Sequence, residues 1–372
     1  MRRLMLRNEN ELRILLFLRL ARRNSIPAHP LHLAAYVYSA GFAGVRVSWT
    51  QREQLLASPT GRQSPRPNTL IAMGTSAWAA PRPPFPRAIL VCPVCQGQLC
   101  FSPRLIRCSL CSREFPQEDG EGAYNLMPES FASGGNILWS NRLQEMERWY
   151  EDLMSSPAQT INCFSQDYQP FSAILASIRG RVLDLGGGTG IVRHYLPPST
   201  EYLVADPSLT WRRSQWSSLA EQFPCLATQP NFIRAVGEYL PFPDGSFDAA
   251  LSFWSLNHVD QPERVLQEVG RVLKPEGRFL IVLEDMPPVW YDWPRHILIS
   301  LADRYSAKRL ISDLWTRFRT GRWPLQTDHI RIQETDLRLW SDPHFTVHRR
   351  SWIHRYLAYD LRKRQNRQDM RA

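Results

Sequence analysis

The alternation of apolar and polar positions in the C-terminal half of the chain predicts strands separated by helices. The runs RVL, EYLVAD, DAALSFW and RFLIVLE suit strands, and the last two suit strands buried on both faces. Between the last two runs, apolar residues recur at three- and four-residue steps and predict a helix with the stripe Val265, Leu266, Val269, Val272 and Leu273. Strands that alternate with helices predict an α/β fold with a parallel sheet.

Residues at both ends of that helix predict where it begins and where it ends. Asp260 and Glu263, with Pro262 in the first turn, predict an acidic capping box. The run KPEG predicts the end of the helix, because proline and glycine interrupt helical structure.

A second amphipathic helix is predicted upstream, in NILWSNRLQEMERWYEDLM. Its apolar positions at helical spacing are Trp139, Leu143, Met146, Tyr150 and Leu153. Core packing is the favoured interpretation of this aromatic stripe, and a ligand-binding face is the alternative. Residues 155–170 have the composition of a linker, and PFSAILASIRG predicts a helix that leads into the first strand.

A glycine-rich turn, DLGGGTG, follows the first predicted strand. Gly186, Gly188 and Gly190 stand at alternate positions, and glycine lets a ligand approach the backbone closely because it has no Cβ. Ile191 stands where the dinucleotide fingerprint has its third glycine, which argues against NAD. Asp206 ends the second strand, where an acid can accept both ribose hydroxyls of an adenosine. The alternative for Asp206 is a surface acid before a turn.

Four cysteines form two CxxC pairs that are separated by twelve residues. They are Cys92, Cys95, Cys108 and Cys111. Each CxxC turn offers two thiolates, and the intervening hairpin lets the two pairs meet, so the spacing predicts a tetrahedral zinc site. A module of about 40 residues buries too little surface to fold alone, and the metal would supply the missing free energy. The alternative is four reduced cysteines or a redox pair.

Two known families share these motifs. The runs LVCPVCQGQL and IRCSLCSREFPQEDGEGAYNLMPE resemble the zinc ribbons found as activator subunits or N-terminal domains of methyltransferases. The runs VLDLGGGTG, VADPS, LPFPDGSFDAALS and LNHVDQPERVLQEVGRVLKPEGR resemble the class I S-adenosylmethionine-dependent methyltransferases, in particular the type 11 group that includes quinone-biosynthesis C-methyltransferases. This resemblance implies a Rossmann-like, seven-stranded, mostly parallel sheet. Its last two strands, HFTVHRRSW and RYLAYDLRKR, would pair antiparallel.

The resemblance also implies an S-adenosylmethionine site. The residues that correspond to the methionine and ribose side of the cofactor are Asp184, Gly186, Gly188 and Gly190. Asp206 would bind the ribose hydroxyls, and Glu238 would lie near adenine. Val236 stands where the family usually has an acid that contacts the adenine amino group, so adenine recognition would rest on backbone groups or on Glu238 itself.

The N-terminal part of the chain differs from the rest in composition. Residues 1–87 are rich in Pro and Arg and poor in periodicity, which predicts a disordered or targeting extension. An overlong gene model with its true start at Met73 is a further alternative. The predicted organisation is this extension, a zinc ribbon at 88–128, a linker helix at 129–169, and a methyltransferase domain at 170–372. That domain carries an aromatic, Arg-rich insertion at about 286–342.

The charge distribution changes the interpretation of the formal net charge of +10. Residues 1–88 hold 13 Arg and three Glu, so the remaining chain is neutral in sum. Residues 89–285 carry a net charge of −8 and residues 286–372 one of +8. The acidic central segment is compatible with a cationic ligand. No apolar run approaches the roughly 18 to 20 residues of a membrane span, so we expect a soluble, cytoplasmic protein without integral membrane association.

Methyl transfer from a sulfonium mainly requires the nucleophile, the methyl carbon and the sulfur to be in line, with a base only when the acceptor must lose a proton. His258, at the end of the fourth strand, is the candidate base or acceptor-orienting group; the alternative is a partly buried His bonded to the backbone. We expect a small-molecule or lipid-like acceptor beneath the insertion. The alternatives are methylation of ribosomal or transfer RNA guided by the zinc ribbon, and a non-catalytic cofactor-binding scaffold.

Overall fold

The computed structural model describes residues 87–117, 123–132, 137–154, 156–212, 214–284, 311–312, 314–316, 318–319, 330, 332–353 and 356–365. The chain divides into two compact units, one formed by 68–287 with 325–372 and the other by 1–67 with 288–324. The predicted N-terminal extension, apart from Arg87, and most of the predicted insertion lie outside the described residues.

Two sheets belong to the first unit. The small one contains β1 (Leu99–Phe101), β2 (Leu105–Cys108) and β3 (Glu114–Pro116). The large one contains β4 (Tyr124–Asn125), β5 (Arg181–Leu185), β6 (Glu201–Asp206), β7 (Asn231–Arg234), β8 (Phe247–Phe253), β9 (Leu273–Leu283), β10 (Phe345–Ile353) and β11 (Tyr356–Lys363). Its strands lie in the order β10-β11-β9-β8-β5-β6-β7-β4.

The large sheet is mostly parallel, as expected for strands joined by crossovers. Among the described strands, only β11 runs antiparallel to its neighbours β9 and β10, which confirms the predicted final pair. The expected count of seven strands is corrected to eight among the described residues. The additional strand, β4, comes from the segment after the cysteines and pairs in parallel with β7 through Tyr124 and Ile233. The sheet therefore extends beyond the segment that the sequence assigned to it.

Alternate residues of the central strands enter two separate apolar cores. Leu183 and Leu203 belong to one core, and Val182 and Val204 belong to the other. All four are at most 3% exposed. This two-residue period with both faces covered is the arrangement that apolar runs predict for a parallel sheet.

Six α-helices are described: α1 (Glu129–Ala132), α2 (Ile137–Met154), α3 (Pro157–Tyr168), α4 (Ser172–Leu175), α5 (Pro262–Val272) and α6 (Glu334–Ser341). Short 3-10 helices lie at Arg87–Ile89, Gln169–Phe171, Ile191–Tyr195, Leu209–Arg212, Ser214–Leu219 and Pro224–Ala227. The predicted helices α2 and α5 are confirmed. None of the described helices is both long and apolar enough to cross a bilayer.

The predicted linker differs from the structure. The expected linker at 155–170 is mostly α3, whose Phe164 is 5% exposed and packs into the second core. Its few apolar positions lie among polar residues, so the sequence pattern there is weak. The glycine turn is followed by the short 3-10 helix at Ile191–Tyr195.

The cysteine module, residues 87–117, packs on the face of the large sheet that carries α5. Ile106 and Phe115 are buried in the same apolar core as Leu183. The backbone N–H of Val91 donates to the carbonyl of Pro241 at 3.1 Å. The small sheet therefore shares its core with the large one.

Candidate active site

The glycine turn lies at the carboxyl end of β5. Its alternate glycines all have left-handed backbone, with φ of 63° at Gly186, 51° at Gly188 and 73° at Gly190. Residues with a Cβ rarely adopt this conformation. A Cβ at Gly186 would lie only 2.4 Å from the Cβ of Ser255. The turn therefore depends on glycine for its conformation and for its close approach to the loop after β8.

A cavity of about 730 Å³ opens beside the glycine turn. Its wall includes Gly186 after β5, Asp206 at the end of β6, Glu238 after β7, Ser255 after β8 and Glu284 after β9. Ligands of open α/β sheets bind at the carboxyl ends of the strands. Small-molecule sites typically occupy about 300–1,000 Å³. The cavity is therefore the candidate active site.

Asp206 lies where the glycine turn meets the end of β6. It is 4% exposed, so the alternative of a surface acid is wrong. One carboxylate oxygen accepts the backbone N–H of Gly188 at 3.1 Å, and the other accepts the N–H of Ser208 at 2.8 Å. These bonds orient the carboxylate at the cavity wall and tie the turn to the neighbouring strand.

Asp184 lies beneath the turn and is not part of the cavity wall. It is 1% exposed, and its carboxylate accepts a hydrogen bond from the hydroxyl of Tyr202. Burial raises the pKa of Asp184 from 3.8 to about 7; the Tyr202 bond opposes this rise and the charge of Asp206 adds to it. A Cβ at Gly187 would lie 2.6 Å from the carboxyl carbon of Asp184. Four residues were expected along the methionine and ribose side of the cofactor: Asp184, Gly186, Gly188 and Gly190. Of these, only Gly186 lines the cavity.

Glu238 lines the cavity and also caps a helix. One of its carboxylate oxygens accepts the N–H of Asp260 at 2.8 Å and that of Gln261 at 3.1 Å, just before α5. Burial is the main cause that raises the pKa of Glu238, and these N–H donors oppose it. The predicted capping box of Asp260 and Glu263 is wrong, because Gln261 is the N-cap residue and makes no side-chain cap bond.

Val236 and α2 form an apolar wall next to Glu238. Val236 is 2% exposed and packs in one cluster with Trp139 and Phe131. The α2 residues that line the cavity are Trp139, Leu143, Glu145, Met146 and Tyr150. Trp139 and Leu143 pack in that cluster and Tyr150 packs against the second core, so the interpretation of the stripe as core packing holds, and the same side chains also line the cavity. A helix shows the same apolar period whether it covers a core or a cavity, so periodicity could not distinguish the two.

His258 lies on the cavity wall in the loop after β8. Its Nε2 is 3.2 Å from Oε1 of Glu284, and the two side chains are 17% and 35% exposed. The side-chain amide of Asn257 donates to the carbonyl of Glu284 at 3.2 Å and holds that residue in place. The structure thus joins the one predicted candidate base to a carboxylate that the sequence analysis did not single out.

The cavity also has an aromatic and acidic end formed by α3, β8 and β11. Trp254 packs against Tyr168 and Tyr356, with ring centroids 4.9 Å apart in both cases. Asp167 accepts a hydrogen bond from the hydroxyl of Tyr356 at 2.9 Å and one from the thiol of Cys163 at 3.2 Å. Sequence analysis missed this group because its members come from separate segments and form no motif. Three of them, Cys163, Asp167 and Tyr168, lie on α3, in the segment whose composition had suggested a linker.

The four cysteines of the two CxxC pairs converge at one point of the module. All four sulfur atoms lie within 4.8 Å of one another, with Cys95 and Cys108 3.4 Å apart and Cys92 and Cys111 3.7 Å apart. Zinc–thiolate bonds of about 2.3 Å place tetrahedral sulfurs about 3.8 Å apart. The cluster therefore has the dimensions of a four-sulfur zinc site.

The two CxxC turns have matching backbones. Gln96 and Ser112, each directly after the second cysteine of a pair, have φ of 62° and 57°. Their N–H groups donate to the carbonyls of Cys92 and Cys108 at 2.9 and 3.1 Å. Backbone N–H groups of Leu110 and Cys111 also donate to the sulfur of Cys108 at 3.4 and 3.5 Å.

Comparison with known proteins identifies the central part of the sheet. Residues 183–281 match the family model described as a methyltransferase domain. The ubiquinone/menaquinone biosynthesis C-methyltransferase UbiE of Pseudomonas paraeruginosa is 33% identical over 127 residues, which are 32% of this chain and 48% of the relative. The protein of the same name in Pasteurella multocida is 35% identical over 113 residues, 29% of this chain and 41% of the relative. Residues 183–281 are thus similar to a methyltransferase domain, and the chain spans about half the length of the curated relatives it matches.

Solved structures of similar proteins cover more of the chain at lower identity. The 1,6-didemethyltoxoflavin-N1-methyltransferase of Burkholderia thailandensis is 18% identical, with a TM-score of 0.40 over 68% of this chain and 97% of that one. The YcgJ protein of Bacillus subtilis is 19% identical, with a TM-score of 0.37 over 54% of this chain and 100% of that one.

Proposed function

We propose that the protein transfers the methyl group of S-adenosylmethionine to a small-molecule acceptor. The observation that carries this proposal is the hydrogen bond between a buried acid, Asp206, and the glycine-rich turn at the wall of one cavity. The methyltransferase match over residues 183–281 spans both features, and the names of the curated relatives support methyl transfer as the reaction.

In this proposal the cofactor lies along the carboxyl ends of β5, β6 and β7. Asp206 accepts the ribose hydroxyls, and the exposed peptide of Gly186 leaves room for the methionine arm. Val236 and Trp139 give adenine an apolar surface where an acid would otherwise contact its amino group. Glu238 accepts two backbone N–H groups just before α5 with its Oε1 and offers its other oxygen, Oε2, to adenine. Oε2 has no hydrogen-bond partner within the described part of the chain.

S-adenosylmethionine supplies an electrophilic methyl group on a sulfonium sulfur. The protein's task is to hold the acceptor in line with that methyl group and to exclude water. His258 is the proposed group for taking a proton from the acceptor, and Glu284 orients its imidazole.

We also propose that the four cysteines bind one Zn²⁺ as a structural site. The sulfur spacing and the N–H donors to Cys108 support it. All four ligand positions would be filled by protein sulfur, which is typical of structural rather than catalytic zinc. The metal would hold the module together and take no part in methyl transfer.

The RNA alternative finds less support. Phosphate contacts rely on Lys and Arg, whereas the described residues that line the cavity include neither. The scaffold alternative rested on Val236, and the structure gives that residue a role in the apolar wall.

The decisive experiment is calorimetric titration of the full chain, with zinc bound, with S-adenosylhomocysteine. We expect binding, and we expect Asp206→Ala to weaken it by at least a hundredfold, because a buried, oriented carboxylate is lost from the ribose hydroxyls. Asp342→Ala, a change at an exposed acid, is the matched control and should bind as the native chain does. Equal affinity of the two variants, or a preference for NAD, would refute the proposal. Incubation with radiolabelled cofactor and fractionated cell extract then tests methyl transfer itself.

A further inference from the structure

The order of the strands separates the cavity into two halves. Asp206 and Glu238 belong to the half over β6 and β7, on one side of the glycine turn. Glu284 follows β9 and Tyr356 begins β11, both on the other side of β5. We call the second half the acceptor end and define it by Asp167, Tyr168, Trp254, Glu284 and Tyr356. A cofactor bound through Asp206 leaves this end to the second substrate.

The walls of the acceptor end are aromatic rings held in fixed positions. Trp254 has a left-handed backbone with φ of 56°, and its N–H donates to the carbonyl of Val282 at 2.9 Å. The indole ring of Trp254 packs against the rings of Tyr168 and Tyr356. The buried indole Nε1 has no hydrogen-bond partner in the described part of the chain. Strained, over-determined backbone of this kind is concentrated at ligand sites.

The charge of the described cavity wall has one sign. Five acids line it, and no Lys or Arg does so among the described residues; the acids are Glu145, Asp167, Asp206, Glu238 and Glu284. Burial first, and then the negative charges of Asp206 and Glu284, raise the pKa of the Tyr150 hydroxyl, which lies on α2 between the two halves. That hydroxyl stays neutral and offers an anion no compensating charge. The acceptor end therefore presents two carboxylates and several aromatic faces.

We propose that the methyl acceptor is a protonated amine on an apolar body, a substrate class that rests on the proposed function. Ring faces attract cations, most strongly when the site is shielded from water. Asp167 and Glu284 supply the opposite charge. An anionic acceptor would face both carboxylates, and a neutral one would gain nothing from their charge.

The reaction balances with the groups on the wall. The ammonium gives one proton to the Glu284–His258 pair, which frees the nitrogen lone pair. That lone pair forms the N–C bond to the methyl carbon while the C–S bond breaks, and the bonding electrons neutralise the sulfonium. The products are the methylated ammonium and S-adenosylhomocysteine, and the proton leaves from the His258 side to solvent.

The test uses matched probes on the full chain saturated with S-adenosylhomocysteine, so that the cofactor's own site is filled. A series from ethylamine through 2-phenylethylamine to tryptamine is titrated by calorimetry, each amine beside the alcohol and the carboxylate of the same body. We expect at least one amine to bind ten or more times tighter than its alcohol, with its carboxylate weaker still. Alcohols or carboxylates that bind as tightly as the amines, or no amine binding at all, would overturn the proposal.

Isosteric variants locate the effect. Asp167→Asn keeps the hydrogen bond from Tyr356 and removes the charge, and we expect it to weaken amine binding at least tenfold while leaving the alcohol within twofold. Glu284→Gln should behave alike. Glu221→Gln, at an exposed acid away from the cavity wall, is the matched control and should change neither. An amine affinity that is unchanged in both Asp167→Asn and Glu284→Gln would contradict the assignment of the amine to the acceptor end.

The same experiment separates this inference from the proposed function. S-adenosylhomocysteine is titrated first, and its failure to bind refutes the methyltransferase proposal whatever the amines do. If it binds and no amine does, only the acceptor class is wrong. Transfer of label from radiolabelled cofactor to the tightest-binding amine is the final readout.

Discussion

The cysteine module and the glycine turn both hold left-handed backbone, but they do so with different residues. In the module, Gln96 and Ser112 take φ of 62° and 57° although each has a Cβ. In the turn, the same region of φ is occupied by Gly186 and its neighbours at no steric cost. The left-handed conformation costs a residue with a Cβ about 1–2 kcal/mol. The module therefore needs another source of stability, and a metal bound by four sulfurs is the source we propose.

The difference reflects where each ligand would touch the protein. A metal is bound by side chains, so the backbone of a CxxC turn can carry a Cβ as long as the sulfurs converge. The candidate cofactor site instead requires close approach to the main chain, since a Cβ at Gly186 would already collide with Ser255. Four predictions test this contrast, from the largest expected effect to the smallest.

The largest effect should follow loss of the metal from the module. Structural zinc contributes about 10–16 kcal/mol in isolated zinc-finger peptides, so Cys108→Ser should abolish stoichiometric zinc and unfold the module. Ile106 and Phe115 share a core with the large sheet, so the sheet should also melt at a lower temperature. Metal content by mass spectrometry and a thermal scan measure the two effects. Cys100→Ser, at an exposed thiol, is the control, and equal behaviour of both variants would disprove a metal site.

The second effect concerns the acid buried under the glycine turn. Because the pKa of Asp184 rises from 3.8 in the unfolded chain to about 7 in the folded one, the folded protein holds a proton that the unfolded chain releases. The contribution of Asp184 to the free energy of unfolding should therefore be greatest below about pH 4 and fall by up to about 4 kcal/mol as the pH rises to about 7. Asp184→Asn keeps an acceptor for Tyr202 and should remove this slope. Urea titrations at several pH values measure it, and an unchanged slope in the variant would assign the proton elsewhere.

The third effect separates close approach from backbone strain. Gly186→Ala should weaken S-adenosylhomocysteine binding at least tenfold, about 1.4 kcal/mol or more, because its Cβ displaces the loop at Ser255. Gly245 has the same φ of 63° and nothing within 4 Å of an added Cβ. Gly245→Ala should therefore lower stability by about 1–2 kcal/mol and leave binding unchanged. Weakened binding in both variants would mean that strain alone explains the glycines.

The two regions also differ in how far their sequences predict their structures. The CxxC spacing predicts the convergence of four sulfurs, because the pattern is local and each turn repeats the other. The parallel sheet and the buried place of Asp206 likewise follow from apolar runs. In contrast, Glu238 caps a helix 22 residues away, and no local pattern encodes such a bond.

The acceptor end is the part of the cavity that the sequence predicts least well. Asp167 and Tyr356 are 189 residues apart, and only the folded sheet brings them within hydrogen-bonding distance. The α2 stripe shows a second limit, since its apolar period is the same for a core and for a cavity wall. What the sequence could not supply was therefore the identity of the neighbour across the fold, and that neighbour decides the function of each side chain.

The smallest effect should come from relief of strain in the module. Ser112 is exposed and left-handed, so Ser112→Gly should raise the free energy of unfolding by about 0.5–1 kcal/mol, after the greater freedom of glycine in the unfolded chain is subtracted. Ser112→Ala keeps the Cβ and loses only the hydroxyl, so it isolates the backbone contribution and should give no gain. Chemical denaturation with zinc in excess keeps metal loss from masking the difference. A gain in both variants would trace the effect to the hydroxyl, and a loss in the glycine variant would mean that the CxxC turn carries no strain for the metal to offset.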